Sequence, residues 1–381
     1  VWTGRPLVLE APAVIIAAGG AGCLYQVTSN AKDSTGDGYA LGYGAGAEIV
    51  DMEMTQFQPF GLVQPLSLRG VTGPGHALIT AGGWLLNGKG ERFMERYDPA
   101  RMEFSTRAMT TRAIAEEVQA GRATPRGGVW VSLPEERGRP SEVIGKAWCA
   151  HLRDAGIDPD AGPLEVAPSC HHMMGGVRID PRGQTSVPGL FAAGEAAGGI
   201  HGANRLAGSG LVDAQVLGAA AGLSATVYAR ANRDRAFPDR VAARTWDSFH
   251  AAVGGGRRAV RAWEIKDELA AVMSRCGGIV RTGDGLETGI NEVKDLGDEL
   301  AAMERPASGL DMQEAIEARH LVTTAELVLR SALFREESRG AHLRSDFPER
   351  DDLRFRRHTV VRKDDRGRIQ VRTRGVERCR A

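Results

Sequence analysis

The stretch GLFAAGEAAGGIHGANRLAGSGLVD, Gly189 to Asp213, joins an apolar run to glycines, an acid, a histidine, an arginine and the start of a helix. Pro188-Gly189 marks a turn, and Leu190-Phe191-Ala192-Ala193 suits a buried parallel strand. That strand ends at Gly194-Glu195, the edge where doubly wound sheets gather their ligands. A loop with His201, Asn204 and Arg205 follows, and Ala207-Gly208-Ser209-Gly210 opens a small-residue helix from Leu211 to about Ala231. The first-turn N–H groups and positive dipole end of such a helix stabilise an anion or a developing negative charge. Spacing alone leaves a second reading open, a strand-loop-helix crossover whose glycines only permit close packing.

Outward from this stretch, composition bounds the class. The 381 residues are enough for two or three domains, and 42% hydrophobic residues with a mean hydropathy of -0.24 are ordinary for a soluble chain. Basic and acidic residues balance at 48 each, so net charge points to neither nucleic acid nor a membrane surface. Five scattered cysteines, Cys23, Cys149, Cys170, Cys276 and Cys379, show no ligand spacing; neither a disulfide framework nor a metal is expected, and a reducing cytoplasm fits. No stretch reads as a membrane helix, and Val1 onward is not a signal peptide.

Further motifs follow in order: Ala17-Ala18-Gly19-Gly20-Ala21-Gly22, Ser34-Thr35-Gly36-Asp37-Gly38, Asn87 to Phe93 (NGKGERF), Cys170 to Gly176 (CHHMMGG) and Glu337 to His342 (ESRGAH). With GLFAAGEA and HGANRL, this set resembles the flavoprotein subunits of succinate dehydrogenase and fumarate reductase, and their relative L-aspartate oxidase. The resemblance runs to about Asp352. It implies an α/β fold: an FAD-binding doubly wound, Rossmann-like domain (residues 1–61 and 169–235), an inserted α+β capping domain (62–168), a C-terminal helical domain (236–345) and a basic tail (346–381).

The resemblance also assigns roles. FAD is the implied cofactor, with Gly19, Gly20, Asp37, Glu195, Gly210 and Leu211 as its contacts and Gly175-Gly176 close to its ring. Thr35 and Asp37 are equally well placed to cap the next helix, about 38–46. Arg107, in the first turn of a helix from about Ser105 to Ala120, corresponds to the proton donor or acceptor; a solvated surface arginine is the plain alternative. His171 corresponds to the group that polarises the substrate, and His172, where an aromatic residue is usual, is expected to pack at the hinge. Arg205 is the fork for a substrate carboxylate, His201 either contacts the same carboxylate or braces Arg205, and Gln58 and Thr80 are further substrate contacts.

Departures are equally specific. Gln58 stands where the family usually has a substrate-binding His, and Phe60 where it has a smaller hydroxylated residue. Thr80 is followed by Ala81-Gly82-Gly83, without the Glu and Arg that would relay protons to Arg107. The family's first βαβ unit with GxGxxG has no counterpart after Val1; the chain is a fragment, its gene is split, or another polypeptide supplies that unit. The expected activity is hydride transfer between flavin and a small (di)carboxylate. The alternatives are L-aspartate oxidation and a flavin-binding role in which catalysis has been lost. An iron–sulfur subunit is an expected partner.

Local patterning predicts strands at 13–18, 47–54, 77–80 and 129–133, and an amphipathic helix from Ser141 to about Ala155. Helices are expected at Arg244 to Ala252, Arg257 to Cys276, Leu286 to Glu304 and Asp311 to Glu337, with strand-like patches at 359–361 and 368–371. His342 is expected at the surface.

Overall fold

The computed structural model describes residues 7–234, 239–252, 255–256, 258–364 and 366–376. The chain forms two compact units, one of residues 1–26, 32–55 and 172–381, the other of residues 27–31 and 56–171.

In the first unit, β1 (Val14–Ile16) pairs in parallel with β8 (Leu190–Ala192), Ile15 opposite Phe191. Phe191 and Ala193 pack with Ala221 and Ala225 of α7 (Ser209–Ala231), so the small residues of that helix serve a close helix-on-strand contact. A five-stranded sheet runs in the order β13 (Ile369–Gly375), β12 (Arg357–Lys363), β2 (Ile49–Val50), β7 (Gly176–Arg178), β9 (Ala197–Gly198), and α1 (Asp37–Gly44) packs against β7. The two tail patches are thus one antiparallel hairpin. After α8 (Asp239–Ala252), three helices pack on one another: α9 (Ala262–Cys276), α10 (Gly283–Ala301) and α11 (Gly309–Phe334). Their buried residues recur at helical spacing, as Ile265, Leu269 and Met273 do in α9. Thr282 accepts from the N–H of Gly285 and Ser308 from that of Asp311, which sets where α10 and α11 begin. A short parallel pair, β10 (Val280–Arg281) with β11 (Leu343–Arg344), joins the helical segment to the ESRGAH region.

The second unit has a four-stranded sheet in the order β3 (Thr55–Leu62), β6 (Leu164–Met173), β5 (Val129–Ser132), β4 (Trp84–Leu86). Around it lie α2 (Pro74–Thr80), α3 (Met94–Tyr97), α4 (Arg107–Gln119), α5 (Pro140–Ile144) and α6 (Lys146–Asp154). Phe60, Leu78, Leu85, Phe93, Ile114, Val131, Leu152 and Val166 form its core.

Several expectations fail for local reasons. Residues 77–80 end a helix, not a strand: Pro74 at its first position presets the backbone, and Leu78 and Ile79 are buried as neighbours rather than alternately. The helix expected over 141–155 is two, broken where Gly145 takes φ 82°. The strand expected over 47–54 stops at Val50, because Asp51 turns the chain at φ 54°. The start expected for α9 at Arg257 lies outside the described residues, as does Cys379. Helix α7 holds a window of mean hydropathy 1.3, long and apolar enough to cross a membrane by length and composition. Leu211, Val212, Val216, Leu223 and Val227 on it are exposed.

Candidate functional site

The cofactor residues expected from the sequence lie in the first unit. Beyond β1 the chain runs through exposed Ala17, Ala18 and Gly19. Gly19 has φ 74°, and a Cβ there would meet nothing within 4 Å; a Cβ on Gly20 would lie 2.2 Å from Glu195 Oε1. Gly20 is glycine because Glu195 fills its space. Glu195, in the single 3-10 turn after β8, accepts the Met173 N–H at 2.8 Å and lies 3.2 Å from His172 Nδ1.

His172, the residue at which the chain re-enters the first unit, packs in this cluster, edge-on to His201 with ring centroids 5.3 Å apart. His201 Nε2 in turn lies 3.4 Å from Asp213 Oδ2. Burial above all, with the Arg205 charge, holds the His201 imidazole below its usual range against the pull of Asp213. Gly210 makes room for Arg205: a Cβ there would come 2.6 Å from Arg205 Nη2. Helix α7 starts after Gly208, at φ 81°, with no side-chain cap, which leaves the first-turn N–H groups, Gly210 and Leu211 included, without intrahelical partners. The loop is braced from ESRGAH: the Ala341 N–H donates to Ala203 O at 2.9 Å, and Gly340, at φ 60°, passes too close to Ala203 for a side chain.

Neither Thr35 nor Asp37 caps α1, whose cap is Gly36 in the left-handed region. The Thr35 hydroxyl donates to Asp37 Oδ2 at 3.0 Å, and His320 Nδ1 lies 2.5 Å from Oδ1. Burial pushes the Asp37 carboxyl up, but His320 and Thr35 outweigh it and hold the pKa below the usual value. A Cβ on Gly175 or Gly176 would lie 2.3 Å from Asp51 O or 2.6 Å from Ala196 O, so both glycines admit a close approach of neighbouring backbone.

His342 is buried, contrary to expectation. It accepts from Arg281 Nη1 at 2.8 Å and donates to Arg335 O at 3.1 Å, and burial with the Arg281 charge holds it neutral, well below its usual range. Arg335 beside it spends all five N–H groups: on Glu53 (2.5 Å) and on Glu337, Phe355 O, Arg357 O and Thr359, each at 2.9 Å.

The second unit holds the residues expected to do the chemistry. Strand β3 presents Gln56 and Gln58, two apart and so on one face. Thr106 caps α4 by accepting from Met109 N, which sets Arg107 in the first turn; Arg107 Nη1 donates to Gln56 Oε1 at 3.0 Å. Gln58 Oε1 lies 3.3 Å from Nε2 of His76, a residue that sequence reasoning missed. The Thr80 hydroxyl donates to His76 O at 2.9 Å, so it is engaged in its own helix. Burial, then the Arg107 charge, lower the His76 pKa. His171 Nδ1 lies 2.8 Å from Ser29 Oγ, and the Asn30 side chain donates to His171 O at 3.0 Å. Among the described residues no cluster of three or more His, Cys, Asp or Glu is arranged for a metal ion.

An open strand end followed by glycine, an acid held at the end of the next parallel strand and an uncapped helix start are the parts of a dinucleotide-type cofactor site. The comparisons agree. A family model described as "FAD binding domain" matches residues 2–211, and one described as "Fumarate reductase flavoprotein C-term" matches residues 266–380. The chain belongs to this family of FAD-dependent oxidoreductases. It is 43% identical over 355 residues to a subunit of the fumarate reductase (CoM/CoB) of Methanothermobacter marburgensis, covering 92% of this chain and 63% of that protein. It is 34% identical to L-aspartate oxidase of Streptomyces coelicolor, covering 96% and 62%. A solved quinol-fumarate reductase with menaquinol molecules superposes with a TM-score of 0.84 at 30% identity, over 96% of this chain and 66% of that one. The chain thus spans 63% of the length of the methanogen relative. The fit to FAD rests on this chain's own residues: the exposed Ala17–Gly19 edge, the Glu195 carboxylate beside it, and the Gly210 and Leu211 N–H groups in the first turn of α7.

Proposed function

We propose that this chain is the flavin- and substrate-binding part of an oxidoreductase that interconverts a saturated and an α,β-unsaturated small dicarboxylate, as fumarate reductase and succinate dehydrogenase do. The observation that carries the reading is Arg107, a half-buried guanidinium set by the Thr106 cap and hydrogen-bonded to the neutral amide of Gln56 at 3.0 Å. Bound FAD supplies the hydride chemistry.

In this reading Glu195 holds cofactor hydroxyls, and the Gly210 and Leu211 N–H groups face developing negative charge on the ring edge. Arg205 binds a substrate carboxylate with both branches of its fork, braced by His201. His171, oriented by Ser29, donates to the substrate carbonyl oxygen and polarises it. Arg107 exchanges the proton at the substrate carbon; a guanidinium that donates there must be in line with a group that returns a proton to it, and in the reverse direction with one that accepts the proton it has gained. The exposed apolar residues of α7 suit coverage by a further polypeptide segment carrying the pyrophosphate-binding βαβ unit. An iron–sulfur subunit remains the partner proposed for electron transfer.

Fumarate reduction by a reduced dye tests the reading. Activity that Arg107→Ala abolishes supports it, and turnover with L-aspartate but not succinate moves the assignment to amino-acid oxidation. Absence of both, with FAD bound, refutes the catalytic reading.

A further inference from the structure

His76 has no role in the site inherited by resemblance, yet the second unit builds a setting for it. Gln56 and Gln58 stand on one face of β3, and each amide oxygen engages one basic side chain, Gln56 that of Arg107 and Gln58 that of His76. Guanidinium and imidazole are thereby offered side by side from two different helices, α4 and α2. The His76 ring sets its edge on buried Phe60, with centroids 4.8 Å apart and planes at 85°, which fixes its plane while the residue stays exposed. With Gln58 Oε1 accepting from Nε2–H, the second nitrogen, Nδ1, has no hydrogen-bond partner among the described residues. A residue whose ring is oriented by a buried amide and an aromatic wall, with one nitrogen left open beside a guanidinium, is arranged for a ligand rather than for the core.

We propose that His76 is a substrate-binding residue, its Nδ1–H donating to one oxygen of the carboxylate whose charge is shared with Arg107. The inference rests on the dicarboxylate reading above and deepens it, since it supplies an imidazole that Gln58 does not. In the free protein the ring is neutral, because the partial desolvation of its Gln58-facing side and the Arg107 charge both disfavour its protonation. The arriving anion offsets Arg107 and draws a proton onto Nδ1. Of the charged groups on the elements packed around α2, Glu103 is already taken by Arg92.

The test is titration calorimetry of succinate into the flavin-loaded protein, repeated in buffers of different ionisation enthalpy. Wild type should take up a proton on binding. His76→Ala should raise Kd by about 10- to 100-fold, the range for one hydrogen bond to a charged group, and abolish the proton uptake. In the His76→Ala background, Gln58→His offers an imidazole from β3 and should restore most of the affinity. A His76→Ala Kd within about twofold of wild type, or a loss that Gln58→His leaves unrestored, overturns the inference. A wild-type protein that loads FAD but binds no dicarboxylate overturns the underlying reading instead.

Discussion

The two adjacent glycines after β1 should respond very differently to the same added methyl. At Gly20 a Cβ would stand 2.2 Å from Glu195 Oε1 and 2.5 Å from its Cδ. Normal contact begins near 3.5 Å, so the carboxylate must retreat by about 1.3 Å. That shift is enough to break its 2.8 Å bond from the Met173 N–H. A hydrogen bond to a charged group is worth about 1.5–3 kcal/mol net, so Gly20→Ala should weaken FAD binding by about 10- to 100-fold if Glu195 holds the cofactor. At Gly19 the methyl meets nothing within 4 Å, and only the left-handed backbone at φ 74° resists it, costing about 1–2 kcal/mol of stability. Quenching of flavin fluorescence on titration measures the first effect and urea denaturation the second. Glu195→Asp, one methylene shorter, draws the carboxylate back and should partly rescue Gly20→Ala. Strictly additive effects of Gly20→Ala and Glu195→Asp, or a wild-type Kd in Gly20→Ala, would refute the steric argument.

Two predictions concern the buried network around Arg335. Arg335→Leu strands the buried Glu53 carboxylate and should cost about 3–5 kcal/mol in urea denaturation; Glu53→Gln should cost clearly less, because burial already pushes that carboxyl up towards its neutral form. His358 Nδ1 lies 2.6 Å from Asp51 Oδ2, and this bond raises the imidazole pKa against the opposing effect of burial. A raised folded-state pKa gives stability that is fully present below the unfolded value of about 6.5 and lost as pH rises through the folded one. Thermal melts of wild type should therefore fall across that window more than those of His358→Asn; parallel profiles would remove the pair from the account.

The parts of the site that depend on chain-local chemistry were legible. Gly194-Glu195 ends a strand, α7 begins within two residues of Leu211, and α4 runs from Arg107 behind the Thr106 cap. Each of those signals is a short run whose physics is settled by its neighbours. What was not legible depends on partners far away in sequence. His76 means nothing until β3 sets Gln58 against it, and His342 reads as a surface residue until Arg281, 61 positions away, meets it in the core. Asp37 looked like a helix cap because the sequence does not show His320 approaching it. The strand expected at 77–80 failed for a different reason, since four apolar or small residues carry no period, and Pro74 with its glycine neighbours decided for a helix.

Arg335 binds five acceptors in four separated stretches of chain: residue 53, residue 337, the turn at 355–357 and Thr359. Anyone cutting or permuting this protein inherits a constraint from that wiring. A break between Glu337 and Phe355 puts the guanidinium on a different piece from three of its five acceptors, Phe355 O, Arg357 O and Thr359. The turn around Asp364 and Gly367, which closes the β12–β13 hairpin with bonds of its own and gives none to the hub, is where a tag or a new terminus should be tolerated.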